Sequence, residues 1–214
     1  MTKHLGWGII GTGTIAQSMS KALVEIGASI RGVASRSKDK ATRFSEPFSQ
    51  CQAYDDYRQM LKAPEIDIVY IASSNDLHRQ HAMDAIKAQK AVLIEKPFAM
   101  NYEEGKQIAD LAKERKVFCM EALWTRFIPA IVEAKKIIES GQLGQIYGFE
   151  ASFGHRSKAP NSAAIFDPQR GGGALLDLGV YLLSLGVYFF KSPTSAPGTL
   201  AFGPTCVEEE TTVS

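Results

Sequence analysis

This sequence lacks a strong charge imbalance, a cysteine framework and an export signal, and each absence excludes a class of protein. Lysine plus arginine number 24 against 23 acidic residues, a formal net charge of +1. That balance gives no electrostatic footprint for nucleic acid or for an anionic membrane surface. The three cysteines, Cys51, Cys119 and Cys206, are odd in number and share no metal-ligand spacing. They read as reduced, mostly buried thiols, and no metal site is expected. Residues 1–10 have no basic flank, no apolar core of a leader and no twin arginine, so the expectation is a cytoplasmic protein. The one long apolar stretch, 171–190, carries Asp177 in its middle and four glycines after Gly171. Those residues argue against a membrane span. The sequence shows no internal repeat and no low-complexity segment.

What is present begins with an apolar run into Gly11-Thr12-Gly13-Thr14-Ile15-Ala16, the pattern G-x-G-x-x-A. Gly11 suits a tight turn out of a strand, and Gly13 lets a pyrophosphate approach the backbone. Ala16 allows a helix to pack close on the sheet, with its N-terminal N–H groups facing the phosphate. A lone glycine pattern also marks ordinary turns, but this one lies between a strand-like run and a helical period, as the motif requires. The following helix reads as Ile15–Ile26, stopped by Gly27, and the second strand as Ser29–Ala34. An NAD site places an acidic residue about twenty positions past the glycines, on the ribose hydroxyl. Here the strand ends in Ser35-Arg36, with Lys38 and Lys40 close behind and no carboxylate before Asp39. A hydroxyl and a guanidinium suit a 2′-phosphate, so NADP is favoured. An ordinary basic helix start accounts for the same residues.

The strand–helix rhythm continues. A short strand at Cys51–Ala53 and a helix at Asp55–Leu61 precede a buried strand, Asp67–Ala72. Ser73, Asn75 and His78 follow it, where doubly wound sheets bind ligands. Helix Leu77–Ala88 leads to strand Ala91–Ile94, which delivers Glu95-Lys96-Pro97. Helix Tyr102–Arg115 has Asn101 as its N-cap with Glu103 and Glu104 in the first turn, and strand Val117–Met120 closes the set. This is an α/β pattern, a parallel sheet covered on both faces, over residues 1–122. Beyond it, 123–214 reads as an α+β domain. Its elements are a helix from Ile128 to Ser140, a half-buried strand in which Tyr147, Phe149, Ala151 and Phe153 alternate with polar residues, and a loop over 154–170. A helix from Gly171 to Phe190, a short strand at Thr199–Phe202 and a polar end at Glu208–Ser214 complete it.

Four ordered motifs carry a resemblance: the glycine turn, Glu95-Lys96-Pro97-Phe98-Ala99-Met100-Asn101, the stretch Glu121 to Arg126, and the stretch Gly171 to Tyr181. Together they resemble the glucose–fructose oxidoreductase and inositol dehydrogenase family, nearest to its NADP-dependent trans-dihydrodiol and D-xylose dehydrogenases. The resemblance implies a Rossmann domain followed by a domain built on an open, mostly antiparallel sheet. It implies dehydrogenation of a sugar or trans-diol and a homodimer for the complete protein. It also implies a catalytic Lys96, with Tyr181 one turn after Asp177. Members need well over a hundred residues past the linker, so the second domain is expected to be incomplete here and its dimer surface in doubt.

Those residue types fit the chemistry. Tyrosine is a poor base at its free pKa of about 10, and a neighbouring ammonium must stabilise its phenolate. Lys96 does this while donating a hydrogen bond to the substrate oxygen. Asp177 and Tyr181, four apart, share a helix face. The plainer readings are a solvated lysine and a polar pair buried in a core. The expected cofactor site comprises Gly11, Thr12, Gly13, Thr14, Ile15, Ser35, Arg36, Ser73, Asn75, His78, Glu95, Lys96, Trp124 and Arg126. Glu95 is expected to orient Lys96. Trp124 and Arg126 either pack beside the nicotinamide or anchor the linker. His4 and His155 carry no signal. Two functions are carried forward: an NADP-dependent dehydrogenase, and a non-catalytic NADP-binding regulator or inactive form.

Overall fold

The structure, a computed structural model, describes residues 5–158, 160 and 163–214. His4 and positions 159, 161 and 162 of the expected loop lie outside the described residues. The chain divides into two compact units, Met1–Ala122 and Leu123–Ser214.

In the first unit, strands β1 (Gly6–Ile10), β2 (Ser29–Ala34), β3 (Gln52–Tyr54), β4 (Ile68–Ile71), β5 (Ala91–Ile94) and β6 (Cys119–Glu121) alternate with five helices. The helices are α1 (Thr14–Glu25), α2 (Lys38–Ser45), α3 (Tyr57–Leu61), α4 (His78–Lys87) and α5 (Tyr102–Arg115). The six strands form one sheet in the order β3-β2-β1-β4-β5-β6, and every pairing is parallel. Parallel strands need helical crossovers, so both faces of the sheet are covered and the central strands are apolar throughout. On one face Ile9, Val33, Tyr70 and Leu93 pack against Ala16 and Leu23 of α1 and Ala41 of α2. On the other, Ile10, Val69, Ile71, Val92 and Ile94 pack against Met60, Ala82, Ile86 and Ile108 from α3, α4 and α5. Successive residues of one strand thus serve opposite faces. Each fully buried isoleucine or leucine contributes about 1.5–3 kcal/mol, which makes this two-faced core the main source of stability.

Strands β2 and β5 and helix α5 span the residues the sequence predicts, with Asn101 Oδ1 accepting the Glu104 N–H at 2.9 Å. The last strand starts two residues later than predicted. Lys116 takes a left-handed backbone and Val117 N–H bonds back to Ala112 O at 2.9 Å, so Val117 belongs to the helix end. All three cysteines are free. Burial pushes the Cys51 and Cys119 thiols up to about 11, which leaves them unreactive at neutral pH.

The second unit holds α6 (Pro129–Glu139), α7 (Val180–Phe190) and an antiparallel hairpin of β7 (Gly198–Phe202) with β8 (Glu208–Val213). The expected strand over 147–153 is a correction: no strand forms there. Alternation chooses faces but supplies no ladder partner; Phe149 and Phe153 meet other rings, while Tyr147 stays exposed. Phe149 lies 5.6 Å from the Phe190 ring, and Phe153 lies 6.1 Å from Tyr181. The helix expected from Gly171 also begins later. Gly171 and Gly173 hold φ of 72° and 119°, outside helical values. A π-helical turn over Leu175–Gly179 then leads into α7. The segment Pro168–Phe190, whose most apolar 18-residue window has a mean hydropathy of 1.7 and is 11% buried, is long and apolar enough to cross a membrane by length and composition. Its Ser184, however, is buried and hydrogen-bonded within the unit.

Candidate functional site

Chain order reverses between β1 and β4, the adjacent strands at the centre of the sheet. A crevice opens beyond the carboxyl ends of such strands. Gly11 makes the turn there at φ 109°, its N–H donating to Ala34 O at 2.9 Å. A Cβ on Gly11 would stand 2.3 Å from Ala72 O, so only glycine fits. Gly13 is the N-cap of α1, and the position of its absent Cβ is open space.

Helices α1 and α4 start without a side-chain cap, unlike α2, α3 and α5. Ser37, Asp56 and Asn101 cap α2, α3 and α5 with side-chain oxygens. No side chain caps α1, and its first turn holds no acidic residue. Its leading N–H groups are therefore available to an anion, and the helix dipole adds to the attraction. A cavity of about 420 Å³ lies against this turn, lined by Thr12, Gly13, Gln17, Lys40, Arg43 and Phe44. Thr14 and Ile15 are exposed in the first turn of α1.

The basic cluster after β2 divides. Lys38 donates to Ala53 O at 2.6 Å and ties α2 to β3. Lys40 and Arg43 line the cavity. Arg36 is exposed, and Ser35 Oγ accepts the Ser37 N–H at 3.4 Å. Arg43 was not among the expected cofactor residues. Its place three positions after Lys40, on one helix face, is the signal that reveals it.

At the end of β4 the structure corrects one expectation. His78 was expected at the cofactor edge, yet it is 0% exposed. Its Nδ1 lies 2.8 Å from Pro97 O and its Nε2 lies 3.1 Å from Ser73 O, so the ring fastens two loops together from inside. Burial lowers its pKa, partly opposed by those two carbonyls. His81, which the sequence did not single out, bonds Ser73 Oγ at 3.0 Å, and burial takes it down to about 4. The His81 ring is therefore neutral near pH 7. Ser73 is thus engaged with two histidines, and Asn75 opens the short turn before α4.

At the end of β5, Glu95 accepts the buried Tyr70 hydroxyl on one oxygen and the Lys96 N–H on the other, the latter at 3.2 Å. This arrangement holds the backbone that carries Lys96.

Within the second unit, Trp124 and Tyr181 meet edge to face with centroids 6.2 Å apart, and Trp124 is 60% exposed. Asp177 sits in the π-turn, and Tyr181 in the first turn of α7. Arg126 donates from Nε to Ser184 Oγ at 2.7 Å and from a terminal nitrogen to Ser184 O at 3.4 Å. It also lies 5.7 Å from the Tyr188 ring centre. Those contacts match the linker-anchor reading of Arg126. Among the described residues no group of three or more His, Cys, Asp or Glu side chains is placed to hold a metal ion.

A doubly wound sheet, a glycine turn at its switch point and an uncapped helix start together define a dinucleotide-binding protein of the Rossmann class. Residues 5–123 match the GFO/IDH/MocA model described as an oxidoreductase family with an NAD-binding Rossmann fold, and 131–214 match the GFO/IDH/MocA C-terminal domain. The chain belongs to the GFO/IDH/MocA oxidoreductase family. A trans-1,2-dihydrobenzene-1,2-diol dehydrogenase of Danio rerio is 35% identical over 190 residues, 87% of this chain and 56% of that protein. A D-xylose 1-dehydrogenase (NADP(+)) of Hypocrea jecorina is 33% identical, covering 84% of this chain and 51% of that protein. The chain thus spans about half the length of these relatives. Among solved structures, KijD10, a 3-ketoreductase from Actinomadura kijaniata in complex with NADP and TDP-benzene, aligns with a TM-score of 0.89 at 27% identity, over 99% of this chain and 66% of that one. A levoglucosan dehydrogenase in complex with NADH and levoglucosan gives 0.88 at 26% identity, over 99% and 63%.

Proposed function

We propose that this protein is an NADP-dependent dehydrogenase that acts on an alcohol carbon of a sugar or a trans-diol. The observation that carries the reading is the cavity at the glycine turn, where the uncapped start of α1 faces Lys40 and Arg43. A pyrophosphate suits the helix N-terminus, and an extra phosphate on the adenosine suits the two cations of α2, just past the strand end where NAD enzymes place an acid. The nicotinamide cofactor, when bound, supplies the hydride acceptor or donor. Lys96 donates a hydrogen bond to the substrate oxygen and stabilises the Tyr181 phenolate, which takes or returns the hydroxyl proton, and Asp177, one turn before Tyr181, reaches the same substrate. Glu95 orients Lys96 by holding its N–H. The two relatives named for dihydrodiol and D-xylose dehydrogenation support this substrate class. The near-zero net charge supports a protein without a nucleic-acid partner.

A second reading, a nucleotide-binding regulator or an inactive form, rests on the same cavity at the glycine turn, which binds a nucleotide whether or not chemistry follows. Both readings require NADP to bind.

Arg36 stands exposed between β2 and α2, at the strand end where NAD enzymes place an acid. Arg36→Ala is expected to weaken NADPH binding by about 1–3 kcal/mol, as for a lost charged hydrogen bond, and to leave NADH nearly unchanged. Fluorescence titration with both nucleotides checks this. Equal losses for the two mean that Arg36 does not touch the 2′-phosphate.

A further inference from the structure

The loop that follows β5 shows a regular pattern of anchoring. Three alternate backbone N–H groups are each received by a carboxylate. Lys96 N–H goes to Glu95 Oε2 at 3.2 Å, Phe98 N–H to Glu121 Oε1 at 2.8 Å, and Met100 N–H to Glu104 Oε2 at 3.2 Å. Glu95 and Glu104 are close in sequence to the groups they hold. Glu121 is 23 residues away and comes from another strand. It ends β6 opposite Ile94, the last residue of β5, so its side chain reaches across the strand pair to the loop that carries Lys96. The carbonyl between these anchors, that of Pro97, is taken from the other side by His78. Pro97 itself offers no N–H, which leaves Phe98 N–H as the first donor after Lys96.

We infer that Glu121 is a positioning residue for Lys96: its bond to Phe98 N–H fixes the loop that presents the ammonium. The inference rests on the dehydrogenase reading above, in which this loop meets the nicotinamide half of the cofactor. The adenosine half would be held elsewhere, by the glycine turn and α2. A residue that only braces the sheet would affect both halves together, whereas a residue that positions the Lys96 loop affects the nicotinamide end alone. Glutamine keeps an oxygen able to accept the Phe98 N–H, and alanine does not, so the two substitutions separate the bond from the residue's bulk presence.

The test compares the 214-residue chain with Glu121→Ala and Glu121→Gln in three measurements. They are amide hydrogen exchange at Phe98, the fluorescence of bound NADPH, and affinity for adenosine 2′,5′-bisphosphate. In Glu121→Ala, Phe98 is expected to exchange at least about tenfold faster, the change for a lost charge-assisted hydrogen bond. The rise in nicotinamide emission on binding is expected to fall by about half or more, while bisphosphate affinity stays within about twofold. Glu121→Gln is expected to resemble the parent in all three. The inference is overturned if Glu121→Ala leaves Phe98 exchange or nicotinamide emission unchanged. It is likewise overturned if Glu121→Ala loses bisphosphate binding as well, or if glutamine fails as alanine does. Failure of the parent to bind either nucleotide overturns the dehydrogenase reading, and with it this inference's link to the cofactor.

Discussion

Lys96→Met and Tyr181→Phe are each expected to lower kcat at least about a hundredfold in a chain extended to the length of its relatives, with a smaller change in NADPH affinity. Both groups act on the alcohol proton during the reaction, and general acid–base catalysis is typically worth that much. Acting as a unit, they are expected to give a double variant hardly worse than the worse single one. The phenylalanine substitution is informative because the Tyr181 ring packs on Trp124 and Phe153 at centroid distances of 6.2 and 6.1 Å. Phenylalanine keeps that packing and removes only the hydroxyl. Near-full activity in Tyr181→Phe would show the residue to be a packing group. The 214-residue chain by itself is expected to turn over D-xylose or a trans-diol below about 1 per second, under the ordinary enzyme range. Faster steady NADP reduction would show that the second unit as it stands completes the pocket.

Gly11→Ala is expected to destabilise the first unit by about 3 kcal/mol or more and to abolish nucleotide binding. Two costs add. The backbone holds φ 109°, which a side chain rarely adopts, and such strain costs about 1–3 kcal/mol. The new Cβ would also meet the Ala72 carbonyl oxygen at 2.3 Å, and overpacking of this kind costs about 1–3 kcal/mol. That contact is with backbone at the junction of β1 and β4, so relief requires the two central strands to shift. The contrast is Gly13→Ala, whose Cβ meets no atom within 4 Å. It is expected to leave stability nearly unchanged and to weaken nucleotide binding, because the methyl fills the approach a phosphate needs. Urea unfolding and NADPH titration on both variants check the pair. Similar destabilisation in the two would show that the turn is less constrained than its geometry indicates.

These two glycines also show which features were legible in the sequence. The turn, the strand before it and the helix after it are local, and their apolar periods and caps fix them. The same holds for α5, where Asn101 and the residues to Arg115 form a complete local signal. Features that depend on which elements meet were not legible. The alternation from Tyr147 to Phe153 marked two faces but carried no information about a ladder partner. His78 stood where a cofactor edge was expected, but a helix-start position does not tell which way a ring points, and this one turns inward between two carbonyls. Arg126 read equally well as a cofactor contact or an anchor, and its bonds to Ser184 come from a helix 58 residues away. Glu121 opened one of the four motifs, but its partner was not legible, because that partner is a backbone N–H on another strand's loop. Arg43 was accessible in principle from its spacing to Lys40.

Two readings of function share one requirement, and it is measurable directly. NADPH and NADH titrated calorimetrically into the 214-residue chain test it. The account predicts one NADPH per chain, bound at least about tenfold more tightly than NADH, a difference of about 1.4 kcal/mol that one charged contact to the 2′-phosphate supplies. Binding of neither nucleotide, or NADH bound as tightly as NADPH, would contradict it.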